Sequence, residues 1–313
     1  MIFRIALLTL ILGLHINSFG YTQNTFPNSD NNYEQEKAKA DSLYANHKFD
    51  EAIPIYESLL EESTERVSLY EPLTKSYAYL GMFEEAEKRT SELYLSMASE
   101  DLGETDLFRS SAHCRYALFK TMQKEYEQSL AHVDSMIVYS APEMIYPGAP
   151  ACAVRFETRA GAYKRAARHV DLLLKNTSGA NQAQYLTWAI YVAREFGQAE
   201  LERALMQQVE STMQLLENGD IQISESLASA GITNKDLYVW FAEVYALQGQ
   251  IADAVNSLQQ AHEAGHMGYY RWKNEVPMFD ALKESVAFKE LLANMEQDIE
   301  KMRLRLEENL NDG

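Results

Sequence analysis

A small residue returns along this chain at nearly constant intervals, each time early in the second half of a helical pattern. The positions are Ala52, Ala86, Ser129, Ala166, Leu201 and Ala254, separated by 34, 43, 37, 35 and 53 residues. Two segments display the pattern fully. In `LGMFEEAEKRTSELY`, Gly81 is followed by Phe83, Ala86 and Leu93, and in `LQGQIADAVNSLQQAHEAG`, Gly249 is followed by Ile251, Ala254 and Ala261. Upstream stand Tyr70, Thr74 and Tyr77 in the first and Tyr238, Ala242 and Tyr245 in the second, again at helical spacing. Such a unit is a pair of antiparallel helices joined at a tight turn, with small side chains where the helices cross. One pair cannot bury its own apolar face, so the pairs must stack. With 14 Gly, only 7 Pro and no long alternation of β-branched residues, the chain is expected to be all-α.

The pattern resembles that of the tetratricopeptide (TPR) repeat family. The resemblance implies a right-handed superhelical solenoid of five to six repeats over residues 33–264. The two long intervals, 43 and 53 residues against a family period of ~34, call for loop insertions, the larger in `LENGDIQISESLASAGITNKD`. Residues 265–313 are similar to the closing segment that follows such arrays in many bacterial proteins. Tyr270 and Trp272, then Phe279 and Leu282, then Phe288, Leu291 and Leu292 occupy its aromatic and Phe-x-x-Leu positions. The expectation is a helical cap over the apolar face of the last repeat. Met295, Ile299, Met302 and Leu306 form a stripe on its final helix, which either packs internally or supports a weak coiled-coil dimer of otherwise monomeric chains.

Residues 1–20 read as a secretory signal peptide: `MIFR` is a short basic start, `IALLTLILGL` an apolar stretch too short to span a bilayer, and Ser18-Phe19-Gly20 a small-x-small cleavage site. Residues 21–32 (`YTQNTFPNSDNN`) then form a flexible lead-in. The mature chain is expected in the periplasm or outside the cell, with no integral membrane segment. Export permits oxidation of the two cysteines, Cys114 and Cys152, which fall at similar levels on the first helices of neighbouring repeats. They bond only if both face inward; otherwise they are small core residues.

The formal net charge of −18 disfavours nucleic acid and anionic lipid as partners. One string suggests chemistry. His262-Glu263-Ala264-Gly265-His266 matches the zincin motif, in which two histidines on one helical face hold zinc and the Glu acts as general base. Gly265 falls where that helix should stop, which would carry His266 off the shared face. The metzincin extension also fails, since Tyr269 and Trp272 stand where it needs Gly and His. A zinc peptidase is therefore the alternative, and the expectation is no metal, no cofactor and no catalytic residue. A glycan-capture protein is a further alternative, given 19 tyrosines, and would require exposed aromatic platforms.

In the family, the first helix of each repeat lines a concave binding face. Transferred position by position, the resemblance places Tyr44, Lys75, Tyr79, Arg155, Arg159 and Arg194 there. Arginine forks suit carboxylates and tyrosine adds apolar contact, so the implied partner is an acidic protein or peptide held by a non-enzymatic scaffold. The competing reading is that these cations pair with the chain's own Asp and Glu.

Overall fold

The computed structural model describes residues 31–62, 67–99, 105–140, 148–176, 179–229 and 232–311, and every regular element among them is helical. The leader and most of the lead-in lie outside the described residues. Six helix pairs follow one another: α1 (Asn31–Ala45) with α2 (Phe49–Glu62), α3 (Val67–Tyr79) with α4 (Phe83–Ser99), α5 (Thr105–Met122) with α6 (Tyr126–Tyr139), α7 (Gly148–Arg159) with α8 (Tyr163–Asn176), α9 (Gly179–Glu195) with α10 (Ala199–Glu217), and α12 (Asn234–Leu247) with α13 (Ile251–Glu263). Within each pair the helices pack together antiparallel, and successive pairs pack on one another.

One turn serves all six pairs. At Gly81 (φ +74°) the Gly81 N–H donates to the Ala78 carbonyl (3.0 Å) and the Met82 N–H to that of Tyr77 (2.9 Å), closing the helix end with a left-handed residue. His47, Lys124, Gly161, Gly197 and Gly249 occupy the same place in the other turns. The residue five positions beyond the turn sits where the two helices cross. Ala52, Ala86, Ser129, Ala166 and Ala254 are each fully buried there. The serine satisfies its hydroxyl by donating to the Ala117 carbonyl (2.9 Å) and by bonding Thr121 (2.8 Å). In the fifth pair this position is Glu202, one residue past the expected Leu201, and its carboxylate pairs with Arg194 at 2.8 Å. Ala86→Leu and Ala254→Leu should each overpack the crossing and cost ~1–3 kcal/mol, read as lower melting temperatures by circular dichroism. Two unchanged melts would mean that this register is wrong.

The interval between the fifth and sixth pairs is not the loop its glycines suggested. It forms a short helix, α11 (Ile221–Ser229), anchored by buried Leu227. Cys114 on α5 and Cys152 on α7 are joined in a disulfide, with Cα atoms 6.0 Å apart. Among the described residues no helix is long and apolar enough to cross a membrane.

After α13 the chain forms a π turn (Arg271–Glu275), a 3-10 helix (Pro277–Glu284) and the long α14 (Val286–Asn311). This tail does more than cover the last pair. The π turn packs against α5 and α7, the 3-10 helix against α12 and α13, and α14 against both α13 and α2 of the first pair. The first and last pairs are thereby joined, also by Lys235 of α12 donating to the Ala45 carbonyl and by Arg305–Asp50 at 2.6 Å. Tyr270 and Arg303 press on Gly81 so closely that any side chain there would displace them. Met295, Ile299 and Leu306 are buried in the chain's own core, so that stripe is not free to form a coiled-coil dimer.

Candidate binding interior

Four of the six residues expected on the concave face converge where the tail crosses the first helices. Tyr44, Lys75, Tyr79 and Arg155 surround Arg271 and Glu275 of the π turn. Glu275 is fully buried and takes two guanidiniums, Arg155 and Arg271 (2.9 Å to the second). Burial opposes its ionisation, yet Arg155 and Arg271 outweigh that and hold its pKa below the ordinary carboxylate range. Arg271 also bonds Tyr79, and Tyr79 stacks on Phe49 with centroids 5.1 Å apart. Lys75 pairs with Glu71 at 2.7 Å; burial works against its charge, but Tyr44 and Glu71 prevail and raise its pKa. Burial pushes the Tyr44 phenol up to about 12.

The other two lie apart from this group. Arg159 binds Asp280 of the 3-10 helix and donates to the Tyr126 hydroxyl at 3.2 Å. Arg194 binds Glu202 and donates to the Leu247 carbonyl at 2.9 Å. That last bond belongs to a common device. The carbonyls ending a first helix lack partners within the helix and face its negative pole. Lys235 satisfies Ala45, Arg303 satisfies Leu80 (2.5 Å), Asn274 satisfies Met122 (2.6 Å) and Arg194 satisfies Leu247. All four predicted cations thus have carboxylate partners within the chain, and for Arg155 and Arg159 those partners are on the tail.

Beside this cluster lies a cavity of about 300 Å³ with Tyr185, Trp188, Trp240, Glu243, Arg155, Arg271, Asp236 and His266 on its walls, together with Leu216, Leu227 and Ile232. Arg155 lies over the Trp188 ring, 5.7 Å from its centroid. Glu243 is buried on α12 and accepts a bond from the Thr187 hydroxyl (2.5 Å). Burial drives its pKa up to about 7, against the opposing pull of Thr187, Arg271 and Arg155. The sequence reading missed Glu243, although a lone carboxylate in the apolar run Val239–Leu247 (`VWFAEVYAL`) is a signal of this kind.

The zincin string does not form one helical face. α13 ends at Glu263 and Gly265 (φ +89°) reverses the chain. His266 is then buried, stacked on Trp272 at 5.3 Å and 4.8 Å from the His47 ring, whereas His262 faces Asp298 at 3.6 Å. Burial lowers the pKa of both His266 and His47, the latter to about 4. Among the described residues no three His, Cys, Asp or Glu side chains are grouped to hold a metal ion. Among the described residues every Tyr and Trp whose side chain is described is buried or half-buried, so the exposed aromatic platform that glycan capture requires is not found there.

No protein-family model matches this chain, and no curated protein matches it in sequence. Among solved structures, it is similar to a tetratricopeptide repeat protein from Parabacteroides merdae, at 14% identity and a TM-score of 0.42 over 84% of this chain and 98% of that one.

Proposed function

We propose that this chain is a non-enzymatic, exported polypeptide-binding protein whose inner face takes an acidic segment of a partner. One observation carries the reading. Arg155 and Arg159, assigned to the binding face from repeat positions alone, hold Glu275 and Asp280 of a non-α-helical stretch of polypeptide, the chain's own tail. A partner segment with carboxylates at similar spacing would meet the same guanidinium forks, with Tyr79, Tyr44 and Lys75 on one side and Arg194 beyond. The leader-like residues 1–20 and the Cys114–Cys152 bond support export, since such bonds persist in oxidising compartments.

The exposed end of the clamp gives the test. Asp280→Asn in the full chain loosens the Arg159 contact without touching buried Glu275. A fluorescent peptide copying residues 276–284 should bind this variant, more weakly as salt rises, and a copy with Asn in place of Asp should bind at least tenfold less tightly. Equal binding of both peptides in an anisotropy titration, or none at millimolar peptide, would sink the reading.

A further inference from the structure

We infer that the cavity beside the tail is a binding site for a free α-amino acid with an apolar side chain. Its walls divide by chemistry. Arg155 and Arg271 supply guanidinium groups, and both already share a single carboxylate, Glu275. Glu243 and Asp236 supply carboxyl groups from one helix, α12. Leucine and tryptophan side chains make up much of the remainder, so a ligand needs one negative group, one positive group and an apolar body to satisfy the whole lining. Two guanidiniums share one carboxylate, so an amine alone would leave their second charge unanswered, and a carboxylate alone would give buried Glu243 no ammonium.

Three further observations agree. The Arg155 Nε is buried without a hydrogen-bond partner, so a donor beside the cavity is left unused. The Arg155 guanidinium is held in place between its ion pair and the Trp188 ring, which pre-orients it. Glu243 is short of positive charge, since burial outweighs the nearby arginines, and a ligand ammonium would supply it. Half-buried Tyr185, Thr212 and Leu216 give the chamber a side towards solvent. At about 300 Å³ the space lies at the small end of ligand pockets, suited to one amino acid and not to a folded peptide. The site requires no displacement of the tail, and it shares Arg155 with the polypeptide face proposed above.

The test uses three near-isosteric probes on the full mature chain: L-leucine, L-leucinamide and 4-methylpentanoate. Trp188 and Trp240 in the wall report occupancy through intrinsic fluorescence, with titration calorimetry as a second readout. Leucine should give a saturable change, and the amide and the deaminated acid should each bind at least tenfold more weakly. Leu216→Trp fills the chamber without breaking an ion pair and should abolish the response while the protein still melts cooperatively. Equal affinity for leucine and 4-methylpentanoate overturns the inference, making this a simple carboxylate pocket. So does the absence of a saturable response to leucine, methionine and phenylalanine alike, or undiminished binding by a folded Leu216→Trp variant.

Discussion

Glu275→Ala should destabilise the protein by about 3–5 kcal/mol, the range for removing one partner of a buried ion pair. The expected loss is large because two cations depend on one fully buried carboxylate. Half-buried Arg271 would lose its ion-pair partner and keep Tyr79, and Arg155 would lose its ion pair while keeping its aromatic contacts with Phe156 and Trp188. The tail is where that strain would be relieved, so α14 should loosen from α2. Urea denaturation supplies the number, and protection of the 271–284 amides against hydrogen exchange locates the effect. A loss below about 1 kcal/mol would mean that the pair is solvated and the tail is not held there.

Breaking the Cys114–Cys152 bond should have an effect of similar size. The bridge closes a loop of sequence separation 38, for which the chain-entropy relation gives ~4 kcal/mol. Its position matters as well, because it ties α5 to α7, the first helices of two successive pairs. Cys114→Ala with Cys152→Ala, or reductant added to the native chain, should lower the melting temperature by many degrees. If oxidised and reduced samples melt together, the cysteines are unbonded core residues.

Local features of the fold were legible and long-range ones were not. Gly81 and Gly249 announce their turns because a left-handed residue is required there and glycine adopts it freely. His47 and Lys124 fill the same turn position at positive φ, and nothing in their side chains advertises it. Ser129 could be read as a small residue, but the bond to Ala117 that lets it replace alanine could not. The misplacement at Leu201 has a physical origin: Glu202 is tolerated at the crossing because Arg194 answers its charge. Repeat positions alone singled out Arg155 and Arg159 as candidates for a binding face. Their occupation by Glu275 and Asp280 depends on how far the array curves, a sum of small rotations that no single segment encodes. The cavity was hidden for the same reason, since its walls come from α7, α9, α10, α11, α12 and the tail.

The contact between α14 and the first pair changes how this molecule can come apart. An open array of repeats behaves as a one-dimensional chain of coupled units, and its terminal units peel away first because each has only one neighbour. Joining the two ends gives the first pair a second neighbour and removes the free boundary on that side. Loss of α1 and α2 then strips support from α14, loss of α14 exposes α2, and the two events become one. The repeats are therefore neither interchangeable nor dispensable: adding or deleting a pair would shift the angle at which the tail arrives and open the ring. Evolution can lengthen an open solenoid one unit at a time, but a closed one is committed to its number.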